Sequence, residues 1–545
     1  MNKGIWWLLA VLLIVITLAG GFLAGSTFKL SLARQEASVT LAPDVETTER
    51  QAYWFGRYNL AQLVMMSGLG PQMEPMPSRM KQMAQMVELS SEEAAKLMQG
   101  MSLVGGVYAG GDPSFSSAGT AMVTGMRWGE AKMDKTLEPA AQAYTLLKLT
   151  ARNFHLDYHE SPPEKFVALM MIPQAQAIVK LLAELRNSEG RFIPRLPDGR
   201  LGEARASDQI AVLWGLSSFV LAATDSSHSD YWSQAYTSMM GMMNMGQGPM
   251  QMPGMMQMPS SQTSHGMMSL QLDGLDVSQL LNETFHAVHG FLQSPLPVSE
   301  KALAIEALGW YIAATGMTPL DQTLQQLATN SLKELANEVA HAEKPSLTDK
   351  ALAVYGLMEA WRVTGDLSFY TGALQTFQEM EVLWDMKAGV YANTAGAQRH
   401  VYDPFTVGAV LAALNAVRWF AIPPESDRAT QHFATFFENA VVHSGLMLAT
   451  GDETLVPQSY KEREHLNHFT DARLPQPRQV GKAPVYAGQV TYENGKWMVT
   501  DPHFKTAPAM FLASMSVMLH RAEVDGFIPM DRLHAKMQMM GMPQH

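Results

Sequence analysis

Between Met239 and Met268 the chain reads MMGMMNMGQGPMQMPGMMQMPSSQTSHGMM, twelve methionines and one histidine in a single stretch. Gly241, Gly246, Gly248, Pro249, Pro253, Gly254 and Pro259 interrupt any long helix, so these thioethers cannot form the ordered stripe of a packed core. Thioether sulfur is a soft, neutral ligand that selects Cu(I), and it survives an oxidising compartment without forming disulfides. Met239, Met240, Met242, Met243, Met245, Met250, Met252, Met255, Met256, Met258, Met267 and Met268 are therefore candidate metal ligands, with His265 offering a nitrogen. Silver(I) would bind in the same way. The plainer reading is a low-complexity loop that adapts to a protein partner.

Two further segments are rich in methionine. Met65, Met66, Met73, Met76, Met80, Met83, Met86, Met98 and Met101 form the first, and a helix starting near Ser78 would put Met80 and Met83 on one face, a pattern that ordinary packing also explains. Met530, Met537, Met539, Met540 and Met542, with His534 and His545, form the other. The composition resembles the methionine-rich loops of bacterial periplasmic copper-resistance proteins and multicopper oxidases, and that resemblance implies a bound Cu(I). Histidine pairs add little. His155 and His159 are spaced i,i+4, and His286 with His289 and His465 with His468 i,i+3, but two ligands do not make a metal site, and structural histidines are the expectation.

A second chemistry is available to carboxylates. Five of six similar segments carry an acid at their third position: Glu138, Asp208, Glu300, Asp349 and Asp403, with Lys505 in the sixth. Acids in a first helical turn complement the helix dipole, so caps are the expectation for each residue taken alone. If one pair is catalytic, Asp208 and Asp403 are the choice, because Trp214, His400 and Tyr402 stand near them in sequence. Paired carboxylates would serve as general acid and base.

The elements that must position these groups follow from those six segments. They are Thr136 to Asp157, Ala206 to Ser227, Val298 to Pro319, Leu347 to Ser368, Val401 to Ile422 and His503 to Val524. In Leu347 to Ser368, LTDKALAVYGLMEAWRVTGDLS, apolar residues fall on every side of a helix, which predicts burial all round, with Thr348 as N-cap and Gly365 as the stop. Between the third and fourth segments, Leu320 to His341 is amphipathic, an outer helix with one wet face. Segment starts 298, 347 and 401 are separated by 49 and 54 residues, room for two helices and their turns.

Six inner and outer pairs predict an all-α fold, an (α/α)6 toroid whose inner helices run parallel and whose acids share one mouth. The pattern resembles the six-hairpin (α/α)6-toroid superfamily, which includes glycosidases and epimerases similar to N-acylglucosamine 2-epimerase. LTDKALAVYGLMEAWRVTGD, SEGRFIPRLPDG (Ser188 to Gly199) and WDMKAGVY (Trp384 to Tyr391) are the phrases closest in style, over roughly Glu130 to Asp525. For the glycosidases, the resemblance implies a substrate funnel at the acid-bearing mouth, while fold alone carries no activity with it. Val490 to Thr500, VTYENGKWMVT, predicts a small β-hairpin insertion at that mouth, with Asn494-Gly495 as a type I′ turn and Tyr492, Trp497 and His503 beside the opening. Gly105 to Ser117 lacks the spacing of a phosphate-binding loop and reads as a plain loop.

Composition bounds the rest. The chain has 545 residues, formal charge −12 and no cysteine. Disulfides, zinc-thiolate sites, iron–sulfur clusters and thiol nucleophiles are excluded, and no basic stripe is present to hold nucleic acid. Gly4 to Gly25 runs 22 residues without a charge, long enough to span a bilayer as a transmembrane helix. The expected organisation is an anchor at 1–26, a spacer and methionine-rich helical segment at 27–129, and a toroid at 130–545 interrupted at 239–268 and 443–501. The expected location is the inner membrane by a single pass, with the body in the periplasm or outside the cell, or secretion if the first segment is cleaved. The sequence favours a non-catalytic protein that handles Cu(I), delivering it to a neighbouring membrane or periplasmic protein. The alternatives are a carbohydrate-active hydrolase, lyase or epimerase with acids in the funnel, and a non-catalytic subunit of a membrane-associated assembly.

Overall fold

A computed structural model describes residues 45–66, 68–74, 76–98, 101–113, 128–151, 162–224, 270–316, 322–448 and 485–517. The charge-free amino-terminal run, the candidate ligands from Met239 to Met268, the last methionine cluster, and the pairs His155/His159 and His465/His468 lie outside the described residues.

Twelve described helices build the ring. They are α1 (Val45–Ala61), α2 (Pro139–Thr150), α3 (Pro162–Glu184), α4 (Ala206–Thr224), α5 (Val277–Leu292) and α6 (Val298–Gly316), followed by α7 (Gln322–His341), α8 (Leu347–Thr364), α9 (Leu367–Glu381), α10 (Pro404–Phe420), α11 (Glu425–Phe437) and α12 (Thr506–Met515). Each even-numbered helix packs on the next even-numbered one, and α12 packs back on α2, so the six close into a ring. The odd-numbered helices form an outer layer, each against one or two inner helices. The six inner helices are the six segments that the sequence pattern singled out, and α7 is the amphipathic helix expected outside them. Thus the fold is an (α/α)6 toroid.

Contacts between neighbours show that the inner helices are parallel. Ala140 meets Asp208 near the starts of α2 and α4, Gly215 faces Ala143 further along, and Thr150 meets Ser218 near the ends. Similarly, Gly356 of α8 lies on Ala302 of α6, and Glu359, one turn on in α8, reaches Gly309, two turns on in α6. Glycine is needed where these backbones touch. A Cβ on Gly215 would stand 2.6 Å from the Ala143 carbonyl oxygen, and one on Gly356 would stand 2.8 Å from that of Ala302. Gly215 and Gly356 occupy the same position in their two segments, so the close approach is written twice.

Ring closure depends on the amino-terminal region. Helix α1, in the stretch 27–129 read as spacer and methionine-rich helical segment, packs on α12 and supplies the sixth outer helix. Tyr53, Trp54, Phe55 and Tyr58 are buried there. The nearby methionines are largely core: Met65 and Met83 are buried, and Met80, Met98 and Met101 pack against the core. In that stretch thioethers fill space, as their flexible side chains allow.

Local signals are shifted slightly from the sequence reading. The N-cap of α8 is Ser346, not Thr348, in a capping box with Asp349, because the helix starts at Leu347. Ser207 and Ser299 likewise fall inside the first turns of α4 and α6. Gly365 ends α8 in the left-handed conformation, as expected. Gly110 and Gly111, read as loop, pair with Phe504–Lys505 and Met133–Asp134 in a small sheet. The hairpin Gln489–Glu493 and Lys496–Asp501 forms around Asn494 and Gly495, both at positive φ, and pairs with Arg399–Tyr402 just before α10. It therefore stands at the amino-terminal mouth of the ring. Among the described residues, α4 is the one helix long and apolar enough to cross a membrane, and it is buried inside the ring.

Candidate functional site

Aromatic side chains from the inner helices meet inside the ring. Tyr144 lies 6.3 Å from Trp214 and 5.3 Å from Phe511 between ring centres, Trp214 lies 6.4 Å from Tyr355, and Phe405 stacks on Phe511 at 4.7 Å. Tyr144, Trp214 and Phe511 are buried in this cluster.

The acids at that mouth divide into two groups. On one side, Asp403 caps α10 by accepting the Thr406 amide at 2.7 Å, and Asp349 completes the capping box of α8. On the other, Glu138, Asp208 and Glu300 begin three consecutive inner helices. Asp208 is buried, accepts the Ala140 amide of α2 at 3.1 Å, and pairs with Arg205 Nε at 2.8 Å. Arg205 also approaches Glu138 at 3.6 Å. Burial pushes the Glu138 and Asp208 carboxyls above the usual carboxylate range although Arg205 pulls both down. Loss of water alone raises Glu300. The Tyr144 hydroxyl is raised by its own burial and then by the charges of Asp208 and Glu300.

The expected pair Asp208 and Asp403 belongs to α4 and α10, on opposite sides of the six-helix ring. Asp208 instead shares a cluster with Glu138, Arg205, Tyr144 and Glu300. Glu138 and Glu300 were legible as mouth acids. Arg205 and Tyr144 were not singled out, although a basic residue immediately before the second segment was a readable signal.

A second set of charges lies inside the ring wall. Glu359 of α8 accepts from Arg362 Nε at 2.6 Å, with a second bond from the same guanidinium, and both residues are largely buried. Glu306 of α6 is buried beside them, bonded to Tyr355, and held well above the usual carboxylate range by burial and then by Glu359. Charged letters inside otherwise apolar inner segments were its sequence signal.

The histidines take structural partners. His289 meets Ser331, and His286 and His289 lie beside Phe285. His400 is buried against Asp385 at 3.1 Å and stacks on Tyr492, while Tyr402 packs on Trp497 and His503 pairs with Asp501. Trp384 of the WDMKAGVY phrase stacks on His432 at 3.8 Å, and Tyr391 donates to Glu381. Among the described residues, no group of three or more His, Asp or Glu side chains is placed to hold a metal ion.

No family model and no curated protein matches this chain. Among solved structures it is similar to a cellobiose 2-epimerase from Spirochaeta thermophila DSM 6192, at 13% identity and TM-score 0.40, covering 83% of this chain and 99% of that one. It is also similar to a D-mannose isomerase, at 10% identity and TM-score 0.40 over 70% and 86% of the two chains. A cellulase of C. cellulolyticum matches at 12% identity and TM-score 0.38 over 87% and 98%.

Proposed function

We propose that this chain is a carbohydrate-acting toroid whose site is the α2, α4 and α6 side of the amino-terminal mouth. The observation that supports this reading is that Asp208 and Glu300 stand in the first turns of the neighbouring inner helices α4 and α6, both raised by desolvation, with the charges of both acting on the buried Tyr144 hydroxyl. A carboxyl raised by desolvation keeps its proton closer to neutral pH and can protonate a leaving oxygen. Glu300 is half-buried and suits that donor role. Asp208, oriented by Arg205 and the Ala140 amide, suits the partner that stabilises positive charge or accepts a proton.

The test is turnover of a saccharide panel that includes cellobiose and mannose, followed by NMR for both cleavage and epimerisation. Glu300→Gln should lower kcat by about a hundredfold or more, the usual scale for a lost general acid. Neither turnover nor saturable saccharide binding by the folded chain would overturn the reading, as would full activity in Glu300→Gln.

A second reading, Cu(I) handling by the methionine-rich segments, is supported by chain topology. The Met239 to Met268 insertion follows α4, the Met530 to Met542 cluster follows α12, and His155 and His159 follow α2. These three inner helices are ring neighbours that end at the same carboxyl face. In this reading the toroid is a scaffold, the Gly4 to Gly25 run anchors it in the inner membrane with the body outside the cytoplasm, and a neighbouring membrane or periplasmic protein receives the ion. Deleting 239–268 should remove most Cu(I) uptake measured against a chromogenic chelator. Absence of stoichiometric uptake by the intact chain would end this reading.

A further inference from the structure

Among the described residues, the carboxyl half of the ring forms a partly open cavity of about 50 Å³ that the mouth chemistry does not use. Its walls include Trp214 of α4, Trp310 of α6, Tyr355 of α8, Asn415 of α10, and Ser514 and Met515 of α12. At about 10–15 Å³ per water, the space has room on the order of four waters or a comparably small organic molecule.

Most polar atoms around this cavity are already committed. Asn415 donates to the Met515 carbonyl at 3.0 Å and accepts from Arg418 at 3.1 Å. Ser514 donates to the Met510 carbonyl at 2.9 Å. Tyr355 is bonded to Glu306, whose carboxyl is pushed well above the usual carboxylate range by burial, and Glu359 pairs with Arg362. The exception is the indole N–H of Trp214, which is buried and has no acceptor. An N–H stripped of water with nothing to bond is an uncompensated loss that an oxygen atom placed against it would relieve.

We propose that this cavity is a binding site for a small neutral molecule with an apolar body and one acceptor oxygen, such as an ether or ketone, held by Trp214 between aromatic walls. None of the described residues lining the space is charged, which disfavours a charged ligand. This site stands independently of the mouth reading.

Tetrahydrofuran and cyclopentane provide the test, being nearly the same shape with and without an acceptor. The full chain labelled with ¹⁵N-tryptophan is titrated with each, and the Trp214 indole resonance is assigned through Trp214→Phe. Tetrahydrofuran should bind saturably and shift that resonance, with cyclopentane about tenfold weaker, the scale of one hydrogen bond. Trp214→Phe keeps an aromatic wall and should erase the difference. Ala412→Leu narrows the space from α10 and should abolish binding of both, whereas Glu300→Gln at the other end should change neither. Failure of both molecules to bind, equal binding by wild type, or a preference surviving in Trp214→Phe would each overturn the proposal. Should Ala412→Leu not fold, the two-ligand comparison in the wild type and Trp214→Phe still decides.

Discussion

Replacing Gly309 with alanine separates two opposed effects whose sum has a definite sign. In an exposed helix interior, the change would stabilise by about 1 kcal/mol, because alanine loses less conformational freedom than glycine. Here the added Cβ would overlap the Glu359 carboxylate and stand 2.9 Å from its Cδ and 3.0 Å from its Cγ. A flexible side chain could move aside cheaply, but Glu359 is pinned through two bonds to Arg362, with 7% and 13% of the two side chains exposed. Displacing it uncouples a buried ion pair, which costs roughly 3–5 kcal/mol. The expected net is a destabilisation of about 2–4 kcal/mol, read as a lower urea midpoint at unchanged slope. The control is the same substitution in a Glu359→Ala/Arg362→Leu background, where the obstacle is gone and Gly309→Ala should be neutral or stabilising by up to about 1 kcal/mol. A neutral or stabilising effect in the wild type would refute the claim that the Glu359–Arg362 pair fixes the spacing of α6 and α8.

Three further outcomes are expected. Gly356→Ala should destabilise by about 1–3 kcal/mol, because its Cβ would meet the Ala302 carbonyl at 2.8 Å and backbone on both sides must give; a thermal melt measures it. Ser346→Ala should lower stability by about 1 kcal/mol through loss of the α8 capping box, measured by the same melt. Glu300→Gln should become more stable than wild type as pH rises. The folded-state carboxyl titrates above its ordinary value of 4.5, so the folded state binds more protons between the two values, and wild type loses stability as pH rises through that window. The variant lacks this loss, so its advantage should be absent near pH 3 and grow as pH rises above the ordinary carboxylate value in paired melts.

Much of the ring was legible because its inner helices are apolar all round and begin alike. Each of the six segments contains an inner helix, since a helix buried on every face has no polar stripe to confuse its reading. Helix α1 was harder to assign, because its partner α12 lies more than 400 positions away and no local pattern announces such a pairing. The capping reading placed the start of α8 two residues late, since Thr348 and Ser346 are chemically equivalent caps and only geometry separates them. At the mouth, acid positions were readable and their grouping was not. Asp208 and Asp403 differ little as letters, but one is buried beside Arg205 and the other accepts its own helix's amide. The first methionine stretch illustrates the same limit: Met65 and Met83 are core residues there, and composition alone does not separate packing from ligation.

The physical ground for placing chemistry on one side of the mouth is a contest between two effects. Six parallel inner helices point their amino ends the same way, each equivalent to about half a positive charge, so carboxyls there should be pulled down. Asp349 and Asp403 sit in that arrangement as expected, accepting hydrogen bonds that finish their helices. Glu138, Asp208 and Glu300 go the other way, because loss of water outweighs both the helix ends and, for the first two, the Arg205 guanidinium. If these three acids served only to steady the ring, hydration or capping bonds would be the favourable solution, and Glu138 makes no cap bond to its own helix. Three adjacent carboxyls held against the local field carry a stability cost, and the proposed proton transfer at this side of the mouth is a use that such a cost fits.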